Sequence, residues 1–243
     1  MMGNIYDDPT FFQAYGQMDR SRMGLEGAGE WHQFKRLFPE LEGKTVLDLG
    51  CGYGWHSAYA AERGAASVTA IDQSGRMIGE ARRRNPEGRI RYRVCSLEEY
   101  EYPEEEFDLA VSNLVLHYIQ DLDSIYRKVY RTLKSGGIFL INMEHPVFTG
   151  SVREEWVRDS KGRALHWPVD DYFYPGERRT VFLGEEVAKQ HHTLTQILGG
   201  LLACGFTLTA VEEAVPDPAM LGLPGMRDEM RRPMMLLVRA QKR

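Results

Sequence analysis

The stretch Val46-Leu47-Asp48-Leu49-Gly50-Cys51-Gly52-Tyr53-Gly54 leaves this chain little choice of architecture. An apolar run broken only by Asp48 reads as a buried strand, and three glycines at alternate positions follow it. Glycine carries no Cβ, so such a loop can turn sharply and bring bare backbone against a ligand. Trp55 to Arg63 then carries a helix pattern, so the loop opens onto a helix N-terminus with free N–H groups. A second apolar run ends at Asp72, 20 residues beyond Gly52. That distance suits an acid at the tip of a neighbouring parallel strand, where it can meet ribose hydroxyls.

The same alternation continues along the chain. Strands are expected at Lys44–Leu49, Ser67–Ile71, Ile90–Val94, Phe107–Val111 and Ile138–Asn142. A helix capped by Ser74 should run to Arg84, and Asp121 to Leu133 places Leu122, Ile125, Val129 and Leu133 on one face. Strand–helix alternation of this kind predicts an α/β, Rossmann-like doubly wound sheet. The 243 residues are read as a single domain. Residues 1–39 form an N-terminal arm or lid, with helix-compatible spacing from Gly24 to Phe38, and residues 40–142 form the ligand-binding core. Residues 143–190 break the rhythm and are read as an insertion capping the substrate site, with a short strand at Thr180–Leu183. Residues 191–243 supply a helix from His192 to Cys204 and an antiparallel strand pair, Phe206–Val215 and Met234–Ala240.

The formal charge of −5 argues against a nucleic-acid or anionic-membrane partner. No apolar run is long enough to span a bilayer. Three cysteines with no CxxC fit a reducing compartment, so a cytoplasmic enzyme is expected.

The glycines themselves narrow the ligand. A pyrophosphate loop wants G-x-G-x-x-G, but counting from Gly50 or Gly52 puts Trp55 or Ser57 where the last glycine belongs. A P-loop lysine is absent. Asp48 is sharper, because a carboxylate at the loop mouth would repel phosphates and suits a ligand bearing an ammonium group. S-adenosylmethionine is such a ligand, with Asp72 for its ribose. A nicotinamide-dependent oxidoreductase is the disfavoured alternative, and a protein that binds S-adenosylmethionine or its product without methyl transfer is another.

Val46–Gly54 resembles the first motif of class I S-adenosylmethionine-dependent methyltransferases, in the form of the small-molecule group that includes ubiquinone and menaquinone methylases. Ile71-Asp72, Cys95-Ser96-Leu97, Phe107-Asp108 to His117-Tyr118 and Leu133-Lys134-Ser135-Gly136-Gly137 resemble the later motifs in order. The resemblance covers residues 40–142 and implies a seven-stranded mixed sheet of order 3-2-1-4-5-7-6 whose last strand pair is antiparallel. It implies S-adenosylmethionine as cofactor, held by Asp48, Gly50, Cys51, Gly52, Gly54 and Asp72. Gln73 and Met77 would flank ribose and adenine, Ser96 and Leu97 the adenine, and Asn113 the methionine side. Tyr15, with Arg20 or Arg22, would reach the cofactor carboxylate. Ser96 stands where many relatives carry Asp.

The methyl acceptor is less constrained. The ends of strands four and five are where a transfer site must lie. His117 and His145 follow those strands and are the candidates for a general base. Glu144, His191 and His192 are candidate substrate contacts, with Phe12 and Tyr172 among the aromatics that the arm and insertion would place over the site. Ser112-Asn113-Leu114-Val115 lacks the Pro-Pro-aromatic sequence typical of nucleobase N-methylases. The spacing of Glu144, His145, His191 and His192 fits no metal signature, so no metal is expected. The expected acceptor is a small aromatic or apolar metabolite taken by O-, C- or N-methylation, and a homodimer is left open.

Overall fold

The computed structural model describes residues 4–86 and 88–243; the first three residues of the arm and Glu87 lie outside the described residues. In chain order the elements are α1 (Pro9–Tyr15), α2 (Asp19–Arg22), α3 (Trp31–Leu37), β1 (Thr45–Leu49), α4 (Trp55–Glu62), β2 (Ser67–Asp72), α5 (Gly75–Arg84), β3 (Ile90–Val94), β4 (Phe107–Asn113), α6 (Leu122–Thr132), β5 (Leu133–Glu144), α7 (Pro146–Thr149), β6 (Val157–Arg158), β7 (Ala164–His166), β8 (Gly176–Phe182), β9 (Glu185–His191), α8 (Gly200–Ala203), β10 (Phe206–Glu213), α9 (Met226–Glu229) and β11 (Met235–Lys242).

Seven strands form one sheet in the order β3-β2-β1-β4-β5-β11-β10. The first five are parallel, and β11 runs antiparallel to both of its neighbours. Counting only the strands of this sheet, the order is 3-2-1-4-5-7-6, as expected. Alternation along the strands sends apolar side chains to both faces. Leu47, Leu49, Phe139, Ile141 and Val238 pack under α6 and α8. Val46, Val68, Leu109, Leu140 and Leu237 pack with Trp31 and Phe34 of α3, Ala60 of α4 and Ile78 of α5. Each large buried side chain contributes roughly 1.5–3 kcal/mol.

Helix starts follow local chemistry. Asp8 accepts the Thr10 and Phe11 N–H groups at 2.8 and 2.9 Å, with Pro9 at the first helical position. Ser74 accepts the Met77 N–H at 3.1 Å, and Asp121 accepts that of Ser124 at 2.9 Å.

Three stretches differ from expectation. The helix expected over Gly24–Phe38 is confined to α3, because Gly24 takes φ +67° and only a short 3-10 turn forms over Gly24–Gly27. The insertion contains two hairpins, β6–β7 and β8–β9, rather than one short strand. The β8–β9 turn has Leu183 and Gly184 both left-handed, at φ +54° and +87°, the backbone of a tight two-residue hairpin turn. Finally, the helix expected from His192 begins later, with a π-helical turn at Thr195–Gly199 leading into α8. Gly200 there lies so close to α6 that a Cβ would stand 2.7 Å from Asp123 Oδ1.

Candidate functional site

The C-terminal ends of β1, β2, β4 and β5 carry Gly50, Asp72, Asn113 and Glu144 to one edge of the sheet. A cavity of ≈ 400 Å³ opens there, lined by the glycine loop, the arm, the strand ends and the β8–β9 hairpin.

Its first half is built around backbone. Gly50, Gly52 and Gly54 all have left-handed φ, at +72°, +52° and +77°. A Cβ on Gly52 would meet no atom within 4 Å, so it would stand in the open cavity; the loop leaves that space free. Asp72 accepts the Gly52 and Ser74 N–H groups at 2.9 and 2.8 Å. Burial pushes its carboxyl above the ordinary value, against the pull of those two amides. Gln73, Met77, Ser96 and Leu97 continue this wall, and Cys51, Asn113, Tyr15 and Arg20 also line it. Arg20 is aimed by a forked pairing with buried Glu30 at 3.2 and 3.3 Å. Asn142 links Glu30 to Asn113 at 3.1 and 2.8 Å. Arg22 is exposed and does not line the cavity. This set fits S-adenosylmethionine: bare backbone, a carboxylate for ribose hydroxyls, apolar walls at Met77 and Leu97, and a guanidinium for a carboxylate.

A methyltransferase-domain family model matches residues 47–141. A solved structure from Listeria monocytogenes, assigned to the S-adenosylmethionine-dependent methyltransferases, is 47% identical, covers 90% of this chain and 99% of its own, and superposes with a TM-score of 0.86. A methyltransferase of the same kind from Mesorhizobium loti is 39% identical, covers 90% of this chain and 100% of its own, with a TM-score of 0.84. The chain belongs to the S-adenosylmethionine-dependent methyltransferases. Its cofactor is therefore S-adenosylmethionine, and the nicotinamide alternative falls. A malonyl-[acyl-carrier protein] O-methyltransferase from Salmonella typhimurium is 37% identical over 110 residues, 44% of this chain and 43% of that protein.

The second half of the cavity is built around charge. Lys189, brought in by β9, bonds Glu144 Oε1 at 2.6 Å and Glu154 Oε2 at 2.9 Å. All three side chains are at least nine-tenths buried. Burial alone would lower the Lys189 ammonium, but the two carboxylates outweigh it and hold it above its ordinary value. Burial and the neighbouring Glu144 push Glu154 up to about 7. Tyr6 from the arm meets Tyr118 hydroxyl to hydroxyl at 2.9 Å, and Phe148 and Phe182 complete the wall.

His117 lines this half and is buried. Its Nδ1 accepts the Glu144 N–H at 3.4 Å, which assigns the proton to Nε2, 3.9 Å from Glu144 Oε1. Burial, aided by Lys189, holds its imidazolium well below the ordinary value, so the ring is neutral.

Several expected residues lie elsewhere. His145 lies just past the end of β5, as the N-cap of α7: Nδ1 accepts the Val147 N–H at 3.0 Å, and Nε2 pairs with Glu213 at 3.1 Å. His191 joins the Thr149 hydroxyl at 2.7 Å to the Tyr172 carbonyl at 2.9 Å, and His192 binds the Ile119 carbonyl at 2.8 Å. Tyr172 accepts the Leu194 N–H at 3.1 Å. These groups stitch the insertion to the core and do not line the cavity. Phe12 packs its ring on Tyr53, outside the lining. Gly54 serves as the cap position of α4 against Tyr92. Asp48 sits one layer behind the loop, where Ser57 donates to it at 2.6 Å and burial pushes its carboxyl up to about 7. It does not itself reach the cavity, so its suitability for an ammonium group finds no direct contact there.

Sequence reasoning missed Lys189, Glu154 and Phe182. The alternation over residues 176–191, which marks the hairpin, was the signal for Phe182 and Lys189; Glu154 lies outside it in an irregular stretch and had none. Among the described residues, no three His, Cys, Asp or Glu side chains are grouped to hold a metal, and no helix is long and apolar enough to cross a membrane.

Proposed function

We propose that this methyltransferase acts on a small acceptor held between the sheet edge and the roof made by the arm and the β8–β9 hairpin. The observation that carries this is the single cavity running from Gly52 and Asp72 to Glu144, Glu154 and Lys189, enclosed by Tyr6, Tyr15, Phe148 and Phe182. A space of this size accommodates a cofactor and a compact partner. Asp72 holds the ribose hydroxyls, Met77 and Leu97 flank the adenine, and Arg20 takes the cofactor carboxylate beside Asn113.

The cofactor supplies an electrophilic methyl on a sulfonium, so the chain has to orient the acceptor, exclude water and receive a proton where the acceptor has one to lose. Glu144 is the group suited to receive that proton. Burial raises its carboxyl against the pull of Lys189. His117, with its proton on Nε2 and its Nδ1 engaged by the Glu144 N–H, does not act as the base.

The test is transfer of labelled methyl from S-adenosylmethionine to a fractionated metabolite extract. Label is expected in the small-molecule fraction. Label confined to protein or nucleic acid, or no transfer to any fraction, overturns the reading.

A further inference from the structure

The far end of the cavity holds more hydrogen-bond acceptors than the protein satisfies. Glu144 and Glu154 present four carboxylate oxygens, and Lys189 bonds one on each. The remaining two, Glu144 Oε2 and Glu154 Oε1, are buried without a hydrogen-bond partner. Thr180, beside Glu154, donates to the Arg153 carbonyl at 3.4 Å and also lies near enough to Glu154 to draw its carboxyl down. A buried acceptor left empty costs about 1–3 kcal/mol, more when charged, and native proteins retain such groups where something else fills them.

The charge count points the same way. Two carboxylates face one ammonium. His117 is neutral, and its Nε2 lies 3.9 Å from Glu144 Oε1, too far for a hydrogen bond. Arg232 acts on Glu144 through space, but its guanidinium is forked to Glu229 at 2.8 and 3.1 Å behind Phe148. With both carboxylates ionised the subsite carries one negative charge more than Lys189 balances; burial and that crowding push Glu154 up to about 7, and a bound cation would relieve it. The walls are aromatic, and the faces of Phe148 and Phe182 already lie 5.7 and 5.9 Å from the Lys189 ammonium. Rings that accept one cation accept another.

We propose that this end of the cavity is a subsite for an ammonium or comparably N–H-rich cationic head group of the methyl acceptor, with Glu144 and Glu154 as its hydrogen-bond acceptors. The acceptor is then an amine-bearing small molecule and not an acid. Lys189 does not recruit a substrate carboxylate; it holds together two carboxylates that line the cavity end, where a cationic head group would draw on them. The inference rests on the small-acceptor reading above.

The test is calorimetry of the full chain with three probes of matched shape: 2-phenylethylammonium, 2-phenylethanol and 3-phenylpropionate. They are measured with and without saturating S-adenosylhomocysteine. The amine is expected to bind about tenfold or more tighter than the alcohol, with the acid weakest. Glu154→Gln should remove the preference while leaving affinity for the alcohol unchanged. Equal binding of amine and alcohol, tighter binding of the acid, or no binding of the amine at millimolar concentration overturns the subsite. The wild-type comparison stands even where the variant fails to fold. Uptake of S-adenosylhomocysteine without amine preference removes the subsite alone, whereas failure to take it up counts against the proposed cofactor residues and leaves the probe ranking readable.

Discussion

The two halves of the cavity are made of different material. The half proposed for the cofactor is backbone: left-handed glycines, amide N–H groups and one carboxylate fixed by two of them. The half proposed for the acceptor is side chain, in which Lys189 balances Glu144 and Glu154 inside an aromatic wall. The first should therefore be damaged by gaining an atom, and the second by losing one.

Lys189→Met tests the second half most severely. It leaves two buried carboxylates without their cation and should cost about 3–5 kcal/mol. Part of that loss should be recovered as pH falls and the carboxylates take up protons. A variant as stable as the parent at pH 8 in thermal denaturation would mean that the triad is not held by charge. Gly52→Val tests the first half. A β-branched residue at φ +52° is strained, and its side chain would fill the cavity. Calorimetry should show S-adenosylmethionine affinity reduced about hundredfold or more, equivalent to ~2.8 kcal/mol. Retained affinity would break the comparison.

Asp72→Ala should weaken cofactor binding about ten- to hundredfold, the range for hydrogen bonds to a charged group. Unchanged affinity would remove the ribose assignment. Asp48 supplies a pH test. Its folded-state carboxyl is raised from 3.8 to about 7, so the folded chain holds a proton that the unfolded chain has lost. The associated stability is fully present below the unfolded value and is lost as pH rises through the folded one. Asp48→Asn should flatten the fall in melting temperature between pH 4 and pH 7 relative to the parent; parallel pH profiles would refute it. The smallest effect belongs to His145→Ala, which removes the cap of α7. It should cost about 1 kcal/mol and lower Tm by about 2–4 °C. S-adenosylmethionine affinity should not change, and a large loss would return His145 to the site.

The two halves also differed in how far the sequence revealed them. The glycine loop, Asp72 and the α/β alternation were legible because each rests on local pattern: apolar runs, glycine spacing and strand–helix alternation within a few tens of residues; the strand order followed from the family resemblance those motifs carry. The triad was not. Glu144 and Lys189 are 45 residues apart, and Lys189 sits in an alternating hairpin where a lysine reads as solvated. Nor does Leu183-Gly184 announce a tight turn, since leucine is an unusual residue at positive φ. His145 and Glu144 are adjacent in sequence, and proximity to the strand end could not tell them apart. The strand end between them did: Glu144 closes β5 and lines the cavity, while His145 caps α7 and pairs with Glu213.

Tyr6 bears on both halves at once. Its hydroxyl meets Tyr118 at the end proposed for the acceptor; burial raises that hydroxyl well above its ordinary value, with Tyr118, Tyr15 and, least, Asp72 from the end proposed for ribose adding to it. The arm that carries it is latched by Asp7, which accepts the Ser74 hydroxyl and the Arg76 N–H at 2.7 and 3.1 Å. A ligand at either end that moves Tyr6 also changes what the other end can bind. Thermodynamics makes that influence mutual: whatever factor the cofactor applies to acceptor affinity, the acceptor must apply to the cofactor.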